Sequence, residues 1–255
     1  MKHCSSGVGV FTLAFIVALT IVVIVATLYF LGVLMFSSTA SGEYVMAQKS
    51  LMNFANILQT GLNVKDFHGS TTLSTWHGDV VIRNVKVSVS VYFDNTHLTI
   101  YNGSTCSIIY YAGYMGGGVD IHGRSLIKGE ERFLKGSSSL IDHESVVDIV
   151  LGYDENYDRW YVKLAPENIL LLKYGSSNTT NHYTAYMLIL KHSQKIPSGN
   201  TITLKFRVYD VIAYAIPSGR KCMLNVKIDG KSETIEFTEN DSLTVIVTLA
   251  ELTLK

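Results

Sequence analysis

The chain has 255 residues, 47% of them hydrophobic, and 21 Lys+Arg balance 21 Asp+Glu to a formal net charge of zero. That balance excludes a global electrostatic pull toward nucleic acid or an acidic surface. The plentiful apolar residues exclude a disordered chain, and the length suffices for one large or two small domains with a real core.

The apolar excess is concentrated at the N-terminus. No charged side chain occurs from Cys4 to Gly42, and Val8 to Phe36 is almost continuously apolar. As a helix, that stretch would rise ~43 Å at ~1.5 Å per residue, more than the ~30 Å a hydrocarbon core requires. Residues 1–42 therefore read as a short tail and a transmembrane anchor, with the lipid bilayer contacted through residues 8–36. Ser38-Thr39-Ala40-Ser41 offers the small residues a signal peptidase accepts. A cleaved signal, however, has an apolar region of only ~7–15 residues, so a retained signal-anchor is the better reading. Lys2 precedes the helix and Glu43 is the first charge after it. The positive-inside rule then places the N-terminus in the cytoplasm and the rest outside the cell membrane, in a single pass.

Residues 43–79 come next. Ser37 to Gly42 reads as a small-residue break, after which Leu51, Phe54, Ala55, Leu58 and Leu62 recur at helical spacing. A short amphipathic helix or stalk over 43–61 is expected, either docking a partner or packed on its own domain; the second is favoured.

From Val80 the period becomes two. Val85, Val87, Val89, Val91 and Phe93 alternate with polar residues, and so do Ile202 to Val208, Cys222 to Ile228 and Leu243 to Leu249. Strict alternation buries one face and wets the other, as in antiparallel sheets. Turn signals separate the runs at Asp94-Asn95, Asn102-Gly103, Gly175 to Asn178, Asp229-Gly230 and Asn240-Asp241. "IPSG" occurs at Ile196–Gly199 and again at Ile216–Gly219, as two equivalent corners. Residues 80–255 are thus predicted to form an antiparallel β-sandwich of immunoglobulin or fibronectin type, making the fold mainly β after one transmembrane helix.

Each candidate site has a plainer reading. The glycines of Gly113-Tyr114-Met115-Gly116-Gly117-Gly118 lack the Lys and the following helix of a phosphate loop, and Asp120 would repel a phosphate, so a turn is expected. Asp154, Asn156 and Asp158 place oxygen ligands at alternate positions, as in a calcium loop, but Arg159 and Ala165 stand where glycine and a bidentate glutamate belong. A hairpin tip is the simpler assignment. Asp142-His143-Glu144 lies near serines without a Gly-x-Ser-x-Gly elbow, and the eight histidines never form His-x-His or His-x-x-x-His. Cys106 and Cys222 could pair as a disulfide in an oxidising compartment. Asn102, Asn178 and Asn240 begin N-x-Ser/Thr sites that permit glycosylation outside the cell. Fifteen tyrosines, among them Tyr110, Tyr111, Tyr114, Tyr153, Tyr157 and Tyr161, either cover half-buried strand faces or form a surface for a glycan or protein.

The stretches "VKVSVSVYFDNTHLTIYNGSTCSIIYYAGYMGGG" and "GNTITLKFRVYDVIAYAIPSGRKCMLNVKI" resemble the late embryogenesis abundant group 2 domain, the water-stress and hypersensitive-response fold of plants and archaea. Phe93-Asp94-Asn95 holds the place of that family's Asn-Pro-Asn, and the likeness runs from about Val80 to Ile228. It implies a seven- or eight-stranded sandwich, no catalytic residue, no cofactor, and a stress-tolerance or membrane-proximal role. The layout is also similar to archaeal type IV pilins and archaellum stator proteins. No charged-Gly processing site or early glutamate accompanies that likeness. The expectation is a membrane-anchored, non-enzymatic protein with a protein or cell-envelope partner. A homo-oligomeric filament subunit is the alternative, and a glycan-binding or hydrolytic surface protein the second.

Overall fold

The computed structural model describes residues 5–94, 96–113, 125–128, 134–137, 145–177 and 180–255. One helix, α1 (Ser5–Thr60), precedes β1 (His68–Ser74), β2 (Asp79–Phe93), β3 (Thr96–Tyr111), β4 (Ser125–Lys128), β5 (Leu134–Ser137), β6 (Asp148–Asp154) and β7 (Arg159–Ala165). Then follow β8 (Ile169–Ser177), β9 (Thr180–His192), β10 (Thr201–Ile216), β11 (Cys222–Ile228), β12 (Lys231–Phe237) and β13 (Asp241–Leu254). The glycine run beyond Gly113, Tyr114, Asp142 to Glu144, and Asn178 lie outside the described residues.

The small-residue break does not occur: α1 runs through residues 37–42 without interruption. Serine, threonine and glycine are mediocre helix formers, but a few tenths to ~1 kcal/mol each is a weak preference that tertiary burial overrides. The Thr39 and Ser41 hydroxyls also bond back to the carbonyls of Met35 and Ser37, at 2.8 and 2.9 Å. The two parts of the helix differ in what surrounds them. Every large apolar side chain described from Leu13 to Phe36 is exposed, from 38% at Val33 to 75% at Tyr29. Beyond it, Ala40, Tyr44, Ala47, Leu51, Phe54, Ala55 and Leu58 form one buried stripe at helical period. That stripe belongs to a core cluster with Leu73, Ile108, Val162, Leu204 and Phe206. Of the two readings of residues 43–61, the helix packed on its own domain is the observed one. The β structure begins at His68, inside the span read as helix or stalk.

The strands form two sheets, ordered β1-β10-β13-β9-β8-β5 and β12-β11-β2-β3-β7-β6-β4. The predicted alternation holds: Val85, Val87, Val89 and Val91 point inward, as do Ile202 to Val208, Cys222 to Ile228 and Leu243 to Leu249 at every second position. Pairing is mostly antiparallel, but β9 pairs β13 in parallel over Asn181 to His192, and β5 pairs β8 in parallel. The all-antiparallel expectation is corrected there. Alternation marks which face is buried and says nothing about strand direction. The strands described also exceed the seven or eight that the family resemblance implied.

The helix enters the interior from one side, facing β1 of the first sheet and β6 and β7 of the second. Its axis runs against β1, with Ile57 beside Gly69, Ser50 at Thr71, and Glu43 at His77. A second core cluster fills the far end of the sandwich with Val85 to Val91, Val245, Val247 and Phe237.

The turns are mixed in outcome. Asp229 and Gly230 form the two-residue β11–β12 loop, both at positive φ (48° and 84°), as a type I′ hairpin requires. The two "IPSG" corners bracket β10, one before and one after. Asn102-Gly103, by contrast, lies in the middle of β3 rather than in a turn. There the Tyr101 ring folds across Gly103, its hydroxyl 2.6 Å from where a Cβ would stand, and donates to the Ser104 carbonyl at 3.0 Å.

Candidate functional site

The end of the sandwich where α1 enters, its base, holds a buried carboxylate with the groups that satisfy it. Glu43 falls on the buried side of the helix, and its side chain is 6% exposed. A carboxylate taken out of water is costly unless its oxygens are satisfied. Here Oε2 accepts from the His77 backbone N–H at 3.1 Å and contacts His77 Nδ1 at 2.9 Å, and Oε1 accepts from the Tyr110 hydroxyl at 2.7 Å. His77 lies in the β1–β2 connection and Tyr110 near the end of β3, so one helical side chain clasps two pieces of the sandwich. Burial, and then the bond to Glu43, raise the pKa of the fully buried Tyr110, which stays a neutral donor.

Two glycines make this clasp sterically feasible. A Cβ on Gly78 would stand 2.3 Å from the Tyr110 hydroxyl oxygen, and one on Gly113 2.3 Å from the His77 carbonyl. Gly113, the first glycine of the candidate phosphate loop, thus serves close backbone packing. Beside it, Arg159 donates from Nε to the Ala112 carbonyl at 2.6 Å and pairs with Asp79, tying the β6–β7 hairpin to β2 and β3.

That hairpin holds the candidate calcium ligands. Asp154 accepts from the Asn156 N–H at 3.0 Å and from the Tyr111 hydroxyl at 3.0 Å, while Asp158 accepts from the Tyr153 hydroxyl. The oxygens serve their own turn, with Asp158 at φ 53°. Among the described residues no three His, Cys, Asp or Glu gather where they could hold a metal ion. Tyr111 contacts Tyr157 and Tyr161 with ring centroids 5.4 and 6.1 Å apart, and Tyr153 contacts Trp160 at 5.1 Å. The tyrosines therefore divide: Tyr110 is core, whereas Tyr153 and Tyr157 are exposed at the base.

The disulfide is ruled out by register. Cys106 stands opposite Asn84, and Cys222 opposite Phe93, on the two sides of β2. Nine residues of strand separate those partners by ~30 Å, against the ~7 Å limit between bridged Cα atoms. Both thiols are free and buried, in different core clusters. Of the glycosylation candidates, Asn102 is exposed on β3 and Asn240 is exposed in the turn before β13.

Two cavities lie away from the base. One of about 430 Å³ opens where β3 meets β9, lined by Asn84, Ser104, Lys191, His192, Tyr209 and Glu251. There His192 Nδ1 contacts the Leu252 carbonyl at 3.1 Å, while Nε2 is buried with no protein partner. The other, about 600 Å³, lies at the far tip beside the stacked Tyr92 and His97 rings. Asp241 braces that end. Burial opposes its ionisation, yet bonds from Asn181 and Thr238 hold its carboxyl below the usual range.

Fold and site together define a class: a mostly β protein of two curled sheets whose interior is completed by a helix long and apolar enough to cross a membrane. Compared with known proteins, the chain matches no protein-family model, no curated protein and no solved structure.

Proposed function

We propose that the chain is a single-pass membrane protein that presents a non-enzymatic β-sandwich outside the cytoplasm for binding or scaffolding. One observation carries the reading: α1 is a single rod whose first part leaves its apolar side chains uncovered and whose last part is core. No flexible linker separates the two, so the sandwich is held at a set height and angle above whatever covers the apolar part. The acid and imidazole at the base engage each other and Tyr110 rather than an open cleft, which favours a structural over a catalytic use. The late embryogenesis abundant resemblance adds stress protection to the range of roles. Alkaline carbonate extraction and proteolysis of intact cells test the reading. Expected are retention in the membrane pellet and digestion of the sandwich from outside; release by carbonate, or digestion only after lysis, overturns it.

The unbroken rod also supports a second reading, a filament subunit in which neighbouring copies rather than lipid cover residues 8–36. Electron microscopy of sheared cell-surface material distinguishes the two. Filaments containing this chain would favour the polymer.

A further inference from the structure

Resting on the membrane-anchored reading, we propose that the base of the sandwich is itself a membrane-contact surface, seated in the phospholipid headgroup region through Trp76, Tyr157 and the corner at Ile196.

The levels follow from the packing. The Phe36 and His77 rings meet edge-on, with centroids 4.7 Å apart, so the β1–β2 connection stands beside the last apolar turn of the helix. Trp76 immediately precedes that contact and is 68% exposed, a large indole the domain leaves uncovered. On another side, the Tyr44 hydroxyl bonds the Tyr161 carbonyl at 3.3 Å and sets the height of β7. From Tyr161 the hairpin descends toward the helix N-terminus, because β3 runs down to Tyr111 and β7 runs up from Arg159 against it. Its tip at Tyr157 lies on the order of 10 Å lower at strand rise. The eight residues from Tyr44 back to Phe36 span ~12 Å of helix. Tyr157, 66% exposed, therefore comes to about the level of Phe36. The third point is the corner before β10. Thr75 bonds the Gly199 and Asn200 carbonyls at 2.7 and 2.8 Å, which brings exposed Ile196 and Lys195 to the same end.

The chemistry suits one kind of partner. Tryptophan and tyrosine carry an apolar body with a polar tip and concentrate where hydrocarbon gives way to water. Lys195 can reach lipid phosphate while its stem covers apolar surface. Trp76 adjoins the exposed apolar part of α1 through the Phe36–His77 contact, and the bonds from Glu43 tie the helix to the same connection.

The chain has two tryptophans, Trp76 and Trp160, so fluorescence of the full-length protein minus that of Trp76→Phe reports Trp76 alone. Both would be reconstituted in phosphatidylcholine vesicles, checked by flotation, and quenched with aqueous iodide or with lipids nitroxide-labelled at the headgroup or at mid-chain. The Trp76 signal is expected to shift to the blue on reconstitution, to lose most of its iodide quenching, and to respond more to the headgroup label than to the mid-chain one. If the protein floats with the vesicles while Trp76 stays fully open to iodide, the contact surface is overturned and the anchor stands. Shielding from iodide with no quenching by either lipid label means that protein covers Trp76, which also overturns the proposal. Protein that does not float overturns the anchored reading first.

Discussion

At the scale of single residues, the molecule depends on how Glu43 is satisfied. Removing one partner strands a buried charged oxygen, which costs more than the net value of the bond itself. Tyr110→Phe keeps the ring in the core and deletes only the hydroxyl that Glu43 Oε1 accepts from. It is expected to lower stability by about 1–3 kcal/mol, read as a lower denaturation midpoint with an unchanged denaturant slope. The cysteines make a second residue-scale case. Burial pushes the Cys106 thiol up to about 12 and the Cys222 thiol up to about 11. A raised pKa keeps each thiol protonated at every pH below that value, and the thiolate is the reactive form. At pH 8 the folded protein should therefore leave both cysteines unmodified by a maleimide, whereas denaturant exposes both. Peptide mass mapping reads the difference, and the same maps should contain no Cys106–Cys222 cross-link.

At the scale of the element, α1 is one helix because a buried stripe runs through a segment of weak helix formers. Gly42 lies in that segment with nothing within 4 Å of the place a Cβ would occupy. Alanine there loses no contact and narrows the unfolded ensemble. Gly42→Ala should raise stability by about 0.5–1 kcal/mol, seen as a small upward shift in thermal midpoint. No local signal singles out the clasp residue. Glu43 sits three residues after Ala40 and four before Ala47, on the stripe that continues through Leu51 and Phe54. The apolar spacing from Leu51 onward was legible, whereas the extension back to Ala40 was masked by the Ser and Gly around it. The partners of Glu43, thirty-four and sixty-seven residues away, leave no local trace.

At the scale of the whole molecule, the sandwich is incomplete without the second part of its helix. Residues 37–255 should remain a folded β domain after removal of 1–36, whose described apolar side chains are exposed. Residues 61–255 lack the seven buried apolar side chains from Ala40 to Leu58 and the buried Glu43, and residues 80–255, the span of the two-residue period, also lose β1. Both shorter chains are expected to aggregate or to lose their cooperative transition. Circular dichroism melts and size-exclusion profiles of the three truncations check this, and a well-folded 80–255 would show that the helix is dispensable.

Local pattern by itself determined the long apolar N-terminal helix, the inward face of the principal strands, the Asp229-Gly230 hairpin and the paired corners around β10. Each of these depends on a period or a turn residue that acts over a few positions. Tertiary structure alone decided that the helix continues unbroken into the core, that β9 lies parallel to β13, that Cys106 and Cys222 stand at opposite reaches of β2, and that Asn102-Gly103 is strand rather than turn. The reason is common to all four. Burial against residues far along the chain outweighs local preferences worth a fraction of a kilocalorie, and strand direction and distance are properties of pairing partners that no single segment encodes.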